Sequence, residues 1–529
     1  MKLLATLLLA CLVVQAQTYK IAGRVIREGT GNPVRSVRVI LSLSQHADQQ
    51  VSCVTGDSGE FGFTDVPKGK YSLVVDDHGR KQEYLENDGF STAIVTGPGL
   101  DTEHIVFPLQ SMGTIVGSVV DEAGDPVRNA TVYLFWRSVY LGTAQIGLRE
   151  TKATGSDGSF HFSRLKPGTY YVGVTGTPWY AQMPTIVQDS SGQHTQMPPP
   201  ELDVAYPLTY YDGTTSPDGA SPIQLDPGSR ASIAFHLQPV EALHISLDGA
   251  GSDQDMRNMM IVPMLKAIGP GGTLVDVRTS WGGPIPGLTG VAPGSYVLSV
   301  LNGAENGKPN VSLGSFAVDW TSDTTMNLND GGGTSVSGKV VVAGELRDRV
   351  AVVLEGIGNS NAAPGWVAHD GTFAIQNISP GRYNVRLANT HDLYMKSVEV
   401  KGGTYSNGVL QVNLGSQIEL TVRTAAGLQK VEGVATKDAK PFAGATVLMI
   451  PQSAIHGNRI PRDQSDSDGS FSLSDVPPGK YTLLAIANSN GLEYTNSTVI
   501  APYLPNGRLI DVPQPANARV QIEVQSLVH

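Results

Sequence analysis

Cysteine is nearly absent: Cys11 and Cys53 are the only two in 529 residues. Charge is also sparse. Asp, Glu, Lys and Arg make up 16% of the chain, and the net charge of -11 gives no electrostatic footing for nucleic acid or an anionic membrane. The eleven histidines are scattered, with no His-x-x-x-His or Cys-x-x-Cys pair to hold zinc. No glycine-rich strand-to-helix loop offers a phosphate site, and helical periodicity is almost missing. No cofactor or metal is therefore expected. Long apolar runs are missing too, apart from Leu3 to Val14, which is too short to span a bilayer. With Lys2 before it and Val14-Gln15-Ala16 ahead of Gln17, that run reads as an export signal over residues 1–16. The mature chain then keeps one cysteine and can form no internal disulfide. Cys53, in the strand-like Val51-Ser52-Cys53-Val54, reads as an inert structural thiol.

What is abundant is turn chemistry, with Gly 60 and Pro 33, and it is periodic. A Pro-Gly or Pro-Lys-Gly turn followed by Tyr occurs five times, ending at Tyr71, Tyr170, Tyr296, Tyr383 and Tyr481. In four copies Gly59, Gly158, Gly371 and Gly469 lie ten residues before the turn glycine, and Phe61, Phe160, Phe373 or Phe471 follows two residues on. Period-two spacing puts these phenylalanines and Phe63, Phe162, Ile375 or Leu473 on one face of a strand. The next apolar residues (Val66, Leu165, Ile378, Val476) break parity, so the strand must bend or end there. Asp before the first-named glycines marks a hairpin turn. Each tyrosine opens a further strand and should pack inward, with its hydroxyl on a backbone carbonyl. Upstream, Gly23, Gly117, Gly338 and Gly433 sit inside strands, where glycine marks a bulge or a close partner.

This order of Gly-strand, Pro-turn, strand, Asp-Gly-x-Phe and Pro-Gly-x-Tyr resembles the carboxypeptidase regulatory-like domain. The resemblance implies a transthyretin-like, carbohydrate-binding-like β-sandwich of seven strands and implies no peptidase. It covers copies one, two, four and five. The third keeps Val291-Ala292-Pro293-Gly294-Ser295-Tyr296 but has Trp281-Gly282-Gly283-Pro284 where the Asp-Gly turn belongs. The fold class expected is all-β, a tandem array of about five antiparallel β-sandwich domains of transthyretin-like or Ig-like type. Boundaries fall at 17–111, 112–238 with an insertion at 176–229, 239–330, 331–415 and 416–529, with Asp330-Gly331-Gly332-Gly333 as a joint.

Two motifs invite a catalytic or metal reading and do not hold it. Gly56-Asp57-Ser58-Gly59 matches the surroundings of a protease nucleophile, but the second copy has Gly155-Ser156-Asp157-Gly158 at the same place, so it is the repeated turn. Asp466-Ser467-Asp468-Gly469 hints at a calcium loop, but a strand follows it without further oxygen ligands. No enzyme is expected. Candidate binding residues are the aromatics of the insertion, Trp179, Tyr180, Tyr206, Tyr210 and Tyr211, because flat rings with polar neighbours suit the apolar faces of sugars. The competing expectation is that the long loop buries these rings against its own sandwich. Together these readings point to an exported, non-catalytic binding or display protein at the periplasm, the cell surface or outside the cell. Its expected partner is carbohydrate, the leading ligand class, or an envelope protein, with no nucleic acid and no transmembrane helix in the mature chain; the alternatives are a structural spacer or scaffold for envelope proteins and, behind it, an accessory module of a secreted hydrolase. Leu8-Leu9-Ala10-Cys11 also resembles a lipobox, which would lipidate Cys11, but Leu12-Val13-Val14 stay apolar where such sequences turn polar.

Overall fold

The computed structural model describes residues 17–526 apart from 45, 190–191, 249–260, 282–286, 303–310, 329–333, 343–348, 358–363, 377, 391, 407, 414, 454–458 and 514–518. The export signal with Cys11 and the Asp330–Gly333 joint lie outside the described residues. The rest is a tandem array of β-sandwiches, each closed around its own apolar core.

The strand glycines explain how each sandwich closes. Gly23 pairs with Phe61 on one side and, in parallel register, with Ile105 on the other. Gly117 stands between Phe160 and Ile233, Gly338 between Phe373 and Leu420, and Gly433 between Phe471 and Val520. A Cβ at these four glycines would come 1.9–2.5 Å from the carbonyl oxygen of the closing strand. Only glycine fits under that oxygen. The closing strand thus runs parallel to the first strand, and the third sandwich repeats this with Leu243–Asp248 beside Thr324–Asn327. One parallel pair per sandwich is an exception to the antiparallel pairing expected throughout.

The Asp-Gly turn is not a hairpin. In the first copy His46–Val54 pairs with Arg38–Leu43, whereas Glu60–Pro67 pairs with Thr18–Arg27 in the opposite sheet. The turn therefore carries the chain across the core from one sheet to the other. Gly59, Gly158, Gly371 and Gly469 take φ between +72° and +87°, and each donates to the carbonyl three residues back at 2.8–3.1 Å. Asp157, Asp370 and Asp468, where the first copy has Ser58, accept from the backbone N–H two residues on. After the phenylalanines the parity break is a bulge, with Asp65, Arg164 and Asp475 at φ near +55° to +57°.

All five repeat tyrosines are buried. Each hydroxyl donates to the carbonyl four residues back: Tyr71 to Pro67 at 3.0 Å, Tyr170 to Lys166 at 2.7 Å, Tyr296 to Ala292 at 2.6 Å, Tyr383 to Ser379 at 2.6 Å and Tyr481 to Pro477 at 2.8 Å. The bond ties the strand start to the turn that precedes it.

One boundary shifts. Gln417–Ala426 pairs with Ser335–Val341 and with Leu393–Lys401, so it closes the fourth sandwich, and the boundary at 415/416 moves to the turn before Gln429–Lys437. The sandwiches also touch one another. Tyr133 and Phe135 of the second sandwich enter the core of the third, and the first, second and fifth sandwiches meet around Asp88.

Tyr481→Ala is expected to cost the fifth sandwich about 3–5 kcal/mol through the lost ring. Tyr481→Phe should cost about 1 kcal/mol through the lost hydrogen bond. Hydrogen exchange on the strands of that sandwich in the full chain measures both losses, and an alanine variant as protected as wild type would refute the corner's structural role.

Candidate binding cleft between the second and third sandwiches

The strand Thr131–Tyr140 explains how two sandwiches share apolar surface. Val132 and Leu134 point into the second sandwich's own core, while Tyr133 and Phe135 point the other way. Phe135 is fully buried among residues of the third sandwich's core, which include Leu265, Ala267 and Val275. Polar bonds frame this contact. The Tyr133 hydroxyl donates to the Asp276 carbonyl, Tyr210 donates to the Ile268 carbonyl at 3.3 Å, and Thr273 donates to the Ile146 carbonyl at 2.8 Å. Burial, then Asp276, push the Tyr133 hydroxyl up to about 12.

Beside this contact the surfaces diverge and leave a cleft of about 570 Å³. One wall carries Thr175, Thr177, Gln182, Met183 and Tyr206 of the second sandwich. The facing wall carries Met264, Thr289 and the run Asp276-Val277-Arg278-Thr279-Ser280 of the third. That run leaves the edge strand Leu274–Asp276 of one sheet and joins Ser280–Trp281 at the edge of the other. Hydroxyls, an amide, a carboxylate and a guanidinium thus line one opening together with methionines and a tyrosine.

The five insertion aromatics do not form one platform. Tyr206 and Tyr210 are buried, Tyr206 in the second core and Tyr210 in the third. Tyr211 packs its edge on Phe235, with ring centroids 6.3 Å apart. Tyr206 and Tyr211 thus pack on their own sandwich and Tyr210 packs into the third, with an edge of Tyr206 bordering the cleft. Trp179 stays 83% exposed, with Tyr180 edge-on at 5.7 Å. Glu122 connects this pair to the cleft by accepting from the hydroxyls of Tyr180 and Tyr206, the latter at 2.9 Å. Burial pushes the Glu122 carboxyl up, but the two hydroxyls outweigh it and hold the group below the usual carboxylate range. Burial and the same carboxylate push Tyr180 up to about 12, and Tyr206 rises for the same reasons.

Sequence reasoning marked the insertion wall but missed Asp276, Arg278 and Thr289. The available signal was the departure of the third copy from the repeat, just before Trp281.

The other tempting motifs resolve as structure. Ser58 donates to Glu60 at 2.5 Å. Cys53 is half-buried against the first core, and burial pushes its thiol up. Among the described residues no group of three or more His, Cys, Asp or Glu is arranged to hold a metal ion, and no helix is long and apolar enough to cross a membrane.

Phe135→Ala is expected to cost about 3–5 kcal/mol. It should also separate the unfolding of the second and third sandwiches. Hydrogen exchange would show protection falling in Leu243–Asp248 and Thr131–Tyr140 unequally; an equal, small change in both would contradict a shared core.

A family model of the carboxypeptidase regulatory-like domain matches residues 20–96 and 114–198. No curated protein matches the chain. Among solved structures, the minor pilin of Streptococcus agalactiae is similar at 14% identity, over 42% of this chain and 96% of that one, with a TM-score of 0.22. The major pilin subunit BcpA of Bacillus cereus is 10% identical over 79% of this chain and 100% of that one, at a TM-score of 0.15. The TIE protein of Bacillus anthracis is 9% identical over 96% and 74%, at 0.16. Likeness at this level carries no argument about ligand or assembly. The family match coincides with the strand glycines, cross-sheet turns and tyrosine corners described above: the first two sandwiches are similar to the carboxypeptidase regulatory-like domain over residues 20–96 and 114–198.

Proposed function

We propose that the protein is an exported, non-catalytic binding protein whose ligand site is the cleft between the second and third sandwiches, with carbohydrate as the ligand class. The cleft carries this reading. Its volume of about 570 Å³ suits a small ligand. Sugar hydroxyls need paired donors and acceptors, and Gln182, Asp276 and Arg278 supply both. Apolar C–H faces need soft partners, and the part-exposed Met183 and Met264 supply those. Trp179 and Tyr180 extend the surface outward from Tyr206 through Glu122. The export signal at residues 1–16 supports a periplasmic, cell-surface or extracellular location.

A structural reading stands beside it. The contacts among the first, second and fifth sandwiches favour a rigid scaffold for envelope proteins.

A glycan array followed by calorimetry separates the two. Under the first reading a glycan binds, and Asp276→Ala or Arg278→Ala weakens it at least about tenfold, a loss of about 1.4 kcal/mol. Trp179→Ala should weaken only longer oligosaccharides. No binding to any glycan, with recovery of an envelope protein by the full chain, would replace the first reading with the second.

A further inference from the structure

In four of the sandwiches one strand position is structurally equivalent. Val54, Ala153, Trp366 and Gln464 each pair with the start of the strand that opens the second sheet. Two residues on, Gly56, Gly155, Ala368 and Asp466 each begin the cross-sheet turn. In the first and fourth copies this face is open, with Val54 63% and Trp366 51% exposed. In the fifth it is covered: Gln464 is 2% exposed, and the Arg462 side chain two residues before it is 3% exposed.

The cover is a segment of the first sandwich, residues 85–95. Arg462 forms a buried ion pair with Asp88 and donates to the Asn87 carbonyl at 2.9 Å, with its guanidinium 4.5 Å over the Phe90 ring. Gln464 donates to the Leu85 carbonyl at 2.6 Å and to the Thr92 hydroxyl at 2.8 Å. Asp466 accepts from the Ala93 N–H at 3.1 Å, and the Ser467 N–H donates to the Ala93 carbonyl at 2.9 Å. The Val95 N–H returns a bond to the Ser467 hydroxyl at 2.8 Å. Arg462, Gln464 and Asp466 each differ from their counterparts in the other three copies, so the shared fold does not explain them.

We propose that this face of the fifth sandwich is a docking site specific for residues 85–95 of the first, and that it takes the same segment from a second copy of the chain when its own is disabled. The two halves are different surfaces on different sandwiches, so one contact geometry serves within a chain or between chains. Within one chain the high effective concentration favours closure; between chains the pairing shows only when closure fails.

Full-length variants test this by complementation. Asp88→Ala spoils the first-sandwich half, and Arg462→Ala spoils the fifth. Each alone should be monomeric by light scattering, with a larger radius of gyration than wild type in X-ray scattering. Exchange of residues 85–95 should rise at least about tenfold in Arg462→Ala, although that substitution lies in another sandwich. An equimolar mixture holds one intact pair and should form a heterodimer. Should Asp88→Ala unfold the first sandwich, seen as lost protection in Thr18–Arg27, Asp88→Asn takes its place. Wild-type exchange at residues 85–95, a mixture that stays monomeric, or a dimer in either variant alone would each overturn the proposal.

Discussion

A carbonyl oxygen sits where a side chain would otherwise be, and the sandwich architecture depends on that approach. Gly23, Gly117, Gly338 and Gly433 leave 1.9–2.5 Å between an imagined Cβ and the oxygen of the closing strand. Any larger residue would push the closing strand off the first one. The closing strands supply Phe107, Phe235, Leu420 and Ile522 to the four cores, so displacing them would open each core from one side. The tyrosine corner does the complementary work on the other sheet, fixing the strand that follows the Pro-Gly turn. Between them the cross-sheet turn carries the chain over the core, and its glycine at positive φ is required because the chain reverses there without pairing the flanking strands.

The shared residues were legible from sequence because repetition exposes them. Phe61, Phe160, Phe373 and Phe471 recur at one spacing, and all four fill cores. The turn's function was misread because an Asp-Gly pair has the same local chemistry in a hairpin and in a cross-sheet arch. Local sequence specifies φ, not which sheet receives the next strand. The 415/416 boundary failed for a related reason: Gln417–Ala426 is an ordinary alternating strand, and nothing within it records that it pairs in parallel with a strand some 80 residues earlier.

The site was less legible. Trp179, Tyr206, Tyr210 and Tyr211 are equally aromatic and equally outside the repeat, yet one is exposed, one lines a cleft, and two fill gaps between elements. Burial is a property of the packed pair of sandwiches, and composition does not carry it. The run Thr131–Tyr140 shows what could have been read. Val132, Tyr133, Leu134 and Phe135 are apolar without alternation, which is the pattern of a strand buried on both faces. Such a strand in an otherwise one-sided sandwich implies a second body against it, and the third sandwich is that body.

The contrast between the two inter-sandwich contacts has a physical logic. Neighbours in sequence need no specificity, because the linker already chooses the partner; an apolar contact such as Phe135 in the third core is enough. The first and fifth sandwiches are far apart in the chain, and each copy presents a similar sheet face. An apolar patch there would bind any of several look-alikes, a known hazard for tandem repeats. Buried polar groups discriminate, because a wrong partner leaves them unpaired at a cost that a greasy surface never incurs. Arg462, Gln464 and Asp466 stand where the first copy has Ser52, Val54 and Gly56. The fifth copy thus gives up a featureless face for three side chains that residues 85–95 satisfy, and an ion pair of little net stabilising value becomes useful as a selector.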